Sequence, residues 1–134
     1  MVRFRRLAAS LVMAAAAVAA APAFATDFLQ AIEDVPLAEG LHEQAEAVIF
    51  ESDQGRVVRS TAVGKTTAQD VTLFYLATLP ALGWTRSDAG DPAAYVFERE
   101  NEVLRIDVRQ PQPGEAVDVR FELIVKLAST RLPE

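Results

Sequence analysis

Cysteine is missing from this 134-residue chain. Its absence excludes thiolate chemistry, disulfides and cysteine-ligated metals, so the stability of the folded domain must come from packing alone. Histidine is nearly as scarce, because His42 is the only one. A Ser-His-Asp triad or a histidine-rich metal site would need partners that the sequence does not reveal. We therefore interpret His42 as a surface residue.

The sequence also lacks the motifs of common catalytic sites. No serine stands in a G-x-S-x-G turn, no D-x-D-x-D-G run marks a calcium loop, and no glycine-rich loop opens a helix. Glu98, Glu100 and Glu102 cluster at a turn, but glycoside hydrolysis needs carboxylates on opposite sides of a cleft. We predict no catalytic residues, no metal and no cofactor.

The first 25 residues have the three parts of an export signal. Arginines within residues 1–6 precede an apolar run over residues 7–21, and Ala23-Phe24-Ala25 supplies a small-x-small cleavage site. We predict cleavage after Ala25, which leaves a periplasmic or secreted protein with no stable membrane anchor. An uncleaved anchor is the alternative, although the apolar run is shorter than the ~20 residues of a spanning helix.

The charge balance is acidic, with 19 Asp and Glu against 13 Lys and Arg and a formal charge of −6. Cleavage of the leader would remove three arginines and no acid, taking the charge to −9. An acidic domain repels nucleic-acid phosphates and anionic lipid headgroups. Nucleic acid is therefore not an expected partner.

The rest of the chain divides into three parts. Residues 26–45 are predicted to hold a short helix and a polar connection, since apolar residues of 27–35 recur at helical spacing before Pro36. Residues 46–127 form the predicted folded domain. Residues 128–134 are a predicted tail.

The first half of the domain predicts a hairpin followed by the main helix. Glu46–Glu51 and Arg56–Val63 are rich in β-branched residues and flank a turn-forming tetrapeptide. A helix is predicted from about Thr67 to Leu82, with Thr66 and Gln69 in a capping-box pattern at its start. Its core stripe is predicted to hold several apolar residues and one threonine: Val71, Phe74, Tyr75, Leu76, Thr78, Leu79 and Leu82.

The second half predicts four more strands. A short one at Trp84–Arg86 precedes a turn at Asp88–Pro92, and three strands with alternating apolar residues follow, joined by turns at Glu100-Asn101 and Pro113-Gly114. At the first of these turns, Asn101 is expected to take the positive φ. The predicted fold class is α+β, in the order β-β-α-β-β-β-β, with one long helix on an antiparallel sheet.

Charge predicts the register of the last hairpin. Alternation places six charged residues on the outer face: Arg105, Asp107, Arg109, Asp118, Arg120 and Glu122. Setting Arg109 opposite Asp118 also sets the other four residues opposite partners of opposite sign. Each such pair contributes only ~0.2–1 kcal/mol, but the differences between registers accumulate along the ladder.

The segment FYLATLPALGW resembles a helix-to-strand signature of small exported bacterial domains of unknown function. Phe74, Tyr75, Leu79, Gly83 and Trp84 carry the resemblance, which extends over about residues 46–125. These residues are of the packing type, with Gly83 suited to a left-handed helix end and Trp84 to a contact back onto the helix. The resemblance therefore supports the fold and transfers no activity.

Three function classes remain. The first is a non-enzymatic binding or accessory module that contacts a periplasmic protein or an envelope component through a sheet edge or the exposed sheet face. The second is a carrier of a small apolar ligand, with a pocket between helix and sheet lined by Tyr75, Trp84, Tyr95 and Phe97. The third and weakest is a hydrolase that uses dispersed carboxylates.

Overall fold

A computed structural model of the protein describes residues 27–87 and 94–127. In these residues one α-helix accompanies a single antiparallel sheet of seven strands, which confirms the α+β class. The predicted export signal (1–25), the predicted turn at Asp88–Pro92 and the predicted tail (128–134) lie outside the described residues. The elements are β1 (Leu41–Glu43), β2 (Val48–Ser52), β3 (Gly55–Gly64), α1 (Ala68–Ala81), β4 (Thr85–Ser87), β5 (Tyr95–Arg99), β6 (Glu102–Arg109) and β7 (Val117–Lys126).

The strands follow the order β1-β3-β7-β6-β5-β4, and β2 also pairs with β3. Because β7 pairs with the whole length of β3, β1 and β2 lie end to end along the opposite side of that strand. These two short strands form one edge of the sheet, and β4 forms the other. β1 corrects the prediction of a polar connection before residue 46, because three residues are too few for alternation to show.

The hydrophobic core lies on one side of the sheet, between it, α1 and the segment 27–38. The helix buries Val71, Tyr75 and Leu79, which recur at intervals of four residues. Leu82, predicted to belong to the same stripe, is instead 41% exposed. It forms the C-cap of the helix, where the chain leaves the helical path and the stripe ends.

The predicted helix at residues 27–35 does not form. Instead the Leu29 amide donates to the Val35 carbonyl at 3.0 Å, and the Leu37 amide donates to the Asp27 carbonyl at 2.7 Å. These bonds close the segment into a loop that still buries Leu29, Ile32 and Val35. Three of the four apolar residues expected to dock on the body do so, whereas Phe28 is 48% exposed. The helix itself does not form, because an isolated helix this short gains too little to persist.

The start of α1 lies one residue later than predicted. Thr67 is the N-cap, and its hydroxyl accepts from the Asp70 amide at 3.1 Å. The Ala68 amide donates to Oε1 of Gln110 at 3.1 Å, so a distant side chain satisfies another free helix donor. Thr66 therefore does not cap the helix, because Thr67 holds that position.

The end of α1 forms as predicted. Gly83 takes a φ of 91°, and the amides of Gly83 and Trp84 donate to the carbonyls of Pro80 and Leu79 at 3.2 and 3.1 Å. These are the two bonds of a Schellman motif. They turn the chain sharply, so that Trp84 is buried at 2% exposure directly after the helix.

The predicted register of the last hairpin is confirmed, because Arg109 lies opposite Asp118. In the preceding hairpin, Phe97 lies opposite Leu104. The turn between β5 and β6 differs in one detail, because Glu100 takes the positive φ, 53°, in place of Asn101. Asn101 is held by the end of β7, since its Nδ2 donates to the Lys126 carbonyl at 2.8 Å and its carbonyl accepts from the Lys126 amide at 2.9 Å.

Candidate functional site

The four rings predicted to line a ligand pocket lie in or against the core. Tyr75, Trp84 and Phe97 are at most 2% exposed, and Tyr95 is half-buried. The guanidinium carbon of Arg86 lies 5.5 Å from the centre of the Tyr95 ring. None of these four rings lines the surface depressions at the helix start, on the charged outer face or beside Phe50. A ligand pocket at the rings stays a prediction.

Tyr75 joins the helix to the segment that precedes the sheet. Its hydroxyl donates to the Pro36 carbonyl at 2.8 Å and accepts from the Ala38 amide at 3.2 Å, both in buried surroundings. The ring meets Phe121 edge to face, with centroids 5.5 Å apart. Burial raises the pKa of Tyr75 well above its ordinary value, and the bond from Ala38 lowers it only in part. The hydroxyl is therefore neutral and acts as a structural tie.

Trp84 is covered by Arg99, whose guanidinium carbon lies 4.3 Å from the ring centre. Arg99 Nη2 also donates to Oδ2 of Asp34 at 2.7 Å and to Oε1 of Glu102 at 3.3 Å. Desolvation lowers the pKa of Arg99, but the two carboxylates outweigh it and raise that pKa. Since Arg99 occupies one face of the indole, that face is closed to a stacking ligand.

The outer face of the sheet carries the six charged residues that alternation places there, but Glu122 and Asp107 form ion pairs with arginines other than their predicted cross-strand partners. Glu122 Oε2 accepts from Nε of Arg59 at 2.8 Å, and Asp107 Oδ2 accepts from Nη2 of Arg109 at 3.2 Å. Arg59 comes from β3, which sequence reasoning did not place beside the last hairpin. The outward position of Arg59 in β3 and its charge opposite to that of Glu122 could have indicated this pair.

A shallow groove of about 390 Å³ crosses this charged part of the outer face. Among the described residues Arg120 forms no ion pair, although Asp107 is its cross-strand neighbour. The groove nevertheless mixes three arginines with two acids, and therefore presents no field of one sign. Its charged lining residues are Arg59, Arg105, Asp107, Arg120 and Glu122.

The β2 edge has a different character, because all five of its residues are exposed. Val48, Ile49 and Phe50 are 52%, 45% and 56% exposed. Successive side chains of a strand point to opposite faces, so this apolar run presents contact surface on both sides of the sheet. Natural proteins usually protect such edges, since an open apolar strand is a template for pairing.

The apolar surface continues from the edge across the outer face. Phe50 lies in register with Val57, then Ile124, then Val103, and these three residues are half-buried. A depression of about 270 Å³ lies at this end of the sheet, lined by Phe50, Val57 and Ile124 among others. The guanidinium carbon of Arg59 lies 5.9 Å from the centre of the Phe50 ring and borders the apolar row.

Sequence reasoning placed Val48, Ile49 and Phe50 in a hairpin strand but did not identify them as a surface feature. The signal was present, because three consecutive apolar residues leave the strand without a polar face. That pattern is also typical of a strand buried on both sides. Only the sheet order shows that this strand lies at an edge.

The start of the helix borders a third depression, of about 460 Å³. Lys65 lies there beside two acids, Glu39 and Asp70. The Ala68 and Asp70 amides are already bonded, to Gln110 and Thr67 respectively. These helix amides are therefore not available to an anionic ligand.

His42 lies on β1, where its side chain is exposed and Val63 is its cross-strand neighbour. Over residues 27–87 and 94–127, no three His, Asp or Glu side chains are grouped so that they could hold a metal ion. Glu102 is engaged by Arg99, whereas Glu98 and Glu100 are exposed.

Comparisons with known proteins give no match: no family model, no curated protein and no solved structure is significantly similar to this chain. Within the described part of the chain, no helix has the length and apolar character needed to cross a membrane.

Proposed function

We propose that this protein is a non-enzymatic binding module that acts in the periplasm or outside the cell. It contacts a protein or an envelope component through the exposed edge and outer face of its sheet. The observation that carries the proposal is the β2 edge, where Val48, Ile49 and Phe50 are each at least 45% exposed. Strand addition at such an edge gives affinity through main-chain hydrogen bonds and specificity through alternate side chains.

The residues around this edge also support a binding surface. The apolar row behind Phe50 extends the contact surface onto the outer face, and Arg59 and Glu122 form an ion pair at its border. An apolar centre with a polar rim is the usual anatomy of a protein interface. The export expected from the leader places the surface among envelope proteins.

Site-specific photocrosslinking in producing cells tests the proposal. A photoreactive phenylalanine analogue at Phe50 is compared with the same analogue at Leu73, a helix residue that is also 56% exposed. We expect discrete, reproducible products from position 50 that are absent from position 73. No products, or the same products at both positions, would contradict binding at this edge.

Mass spectrometry of cell fractions tests the proposed cellular location separately. We expect the protein in the exported fraction to begin at Thr26. A full-length chain dissolved in the cytosol would contradict the proposed location.

A further inference from the structure

We propose that the occupant of the β2 edge is an extended cationic peptide segment that adds to the sheet as a strand. Its apolar residues lie beside Val48–Phe50, and its lysines or arginines pair with Glu46 and Glu51. This inference rests on the proposed function and names the chemical class of the partner.

The geometry suits a short strand. A partner paired with β2 lies about 4.8 Å from it, and each residue advances about 3.3 Å. Glu46 and Glu51 are five positions apart, which corresponds to roughly 17 Å between the Cα atoms of an extended chain. A segment of six residues spans these five steps, and its two end side chains point to opposite faces of the strand, as those of residues five positions apart do. A basic residue at each end therefore matches the spacing of the two acids.

The charges along the edge are of one sign. Residues 43–53 hold four acids, Glu43, Glu46, Glu51 and Asp53, and no lysine or arginine. Glu43 is engaged internally, because its Oε1 accepts from the Ser60 hydroxyl at 2.9 Å. The other three are exposed and border the apolar run on both sides.

The neighbouring arginines do not neutralise the negative charge of this edge. Arg56 meets Glu51 at 3.6 Å, but the Glu51 side chain is 72% exposed, so the pair is weak and open to competition. Arg59 is held by Glu122 at 2.8 Å. Both arginines belong to β3, one strand further from the partner.

The same carboxylates oppose a second copy of this chain as the occupant. Two β2 edges pairing with each other would bring eight carboxylates from two copies of residues 43–53 to one seam. In the register that sets Val48 opposite Ile49, Glu46 faces Glu51 twice. Like charges directly opposite each other destabilise a strand pair.

A peptide titration of the purified protein tests the inference. The probes are acetylated, amidated hexapeptides that have alternating Thr and Val in the middle and either Lys or Glu at both ends. Binding is followed by amide chemical shifts. We expect the Lys-ended peptide to bind about tenfold more tightly at low salt, with shifts centred on residues 46–59, and the difference to shrink in high salt.

Charge reversal on the protein provides the control. The double variant Glu46→Lys/Glu51→Lys should reverse the preference and bind the Glu-ended peptide better. The matched variant Glu98→Lys/Glu100→Lys makes the same change in net charge at exposed positions away from this edge, and should keep the preference for lysine. Thermal unfolding of both variants shows that each is folded.

Equal binding of the two peptides, an unchanged preference in the Glu46→Lys/Glu51→Lys variant, or shifts away from β2 would overturn the inference. So would a dimer in sedimentation that Phe50→Lys abolishes, since the occupant would then be a second copy. These results are separate from the crosslinking test of the proposed function. If crosslinked products form at position 50 but the peptides show no charge preference, only the cationic partner is refuted and binding at the edge stands.

Discussion

Replacing Tyr75 with Phe tests the tie between the helix and the segment before the sheet. The variant removes one hydroxyl and leaves the Pro36 carbonyl and the Ala38 amide without their buried partner. Each buried unsatisfied group costs about 1–3 kcal/mol, and part is recovered because the hydroxyl itself no longer has to be buried. We expect the free energy of unfolding to fall by about 2 kcal/mol.

Urea denaturation near neutral pH measures this loss, and hydrogen exchange locates it. The Ala38 amide should exchange much faster in the variant, while amides in the centre of β7 should change only with global stability. Tyr95→Phe is the matched control, since it removes a hydroxyl from a half-buried ring. We expect it to cost less than about 0.5 kcal/mol.

The pH dependence gives an independent check. Tyr75 ionises near its ordinary pKa of 10.0 in the unfolded chain, but burial raises its pKa in the folded protein. Its contribution is therefore complete below pH 10 and is lost as the pH rises above that value. The loss is about 1.4 kcal/mol per pH unit, so the stabilities of wild type and Tyr75→Phe should converge at roughly pH 11.5. A variant as stable as wild type at pH 7, or a stability difference independent of pH up to 11.5, would refute this account.

Three local features are tested by urea denaturation, the first two with a matched control variant. Thr67→Ala should cost about 1 kcal/mol through loss of the N-cap, whereas Thr66→Ala should cost less than half of that. Gly64→Ala should destabilise by about 3 kcal/mol or more, because its new Cβ would overlap the backbone carbonyl oxygen of Gly40. Gly114→Ala meets no atom of the described residues within 4 Å, so only its φ of 87° is penalised, by about 1–2 kcal/mol. Arg99→Met should cost about 1–2 kcal/mol through the lost ion pairs and ring contact, with the wild-type advantage smaller in high salt.

Opposite results would be equally informative. A larger effect at Thr66 than at Thr67 would restore the cap that the sequence alone suggested. A tolerated Gly64→Ala would show that the Gly40 carbonyl, just before β1, does not lie against Gly64. An Arg99→Met variant as stable as wild type in low salt would mean that its carboxylate partners contribute nothing measurable.

Features set by neighbouring residues could be predicted well. The Arg109–Asp118 register follows from alternation and opposite charges on two strands joined by a short connection, and the Gly83 helix end follows from the tolerance of glycine for positive φ. Capping was harder, because Thr66 and Thr67 are chemically equivalent candidates. Which of them caps depends on where α1 meets the rest of the fold, including the bond from the Ala68 amide to Gln110, 42 residues away.

The candidate site could not be predicted in the same way. Val48, Ile49 and Phe50 form an apolar run that suits either a buried strand or an open edge, and only the sheet order decides between them. The acids that flank this run are visible in the sequence, but their relevance to binding follows only from the position of β2 at an edge of the described sheet.

The sequence by itself determined the α+β class, the helix, the strand alternation and the register of the last hairpin, because each depends on periodicity or on contacts between residues near in the chain. The tertiary structure alone decided that residues 27–37 close into a loop and that β2 lies at an edge of the described sheet. Both outcomes depend on contacts with distant residues. The loop is tied to Tyr75, whose hydroxyl donates to Pro36 and accepts from Ala38, and the position of β2 depends on the pairing of β3 with β7. No local pattern encodes those contacts.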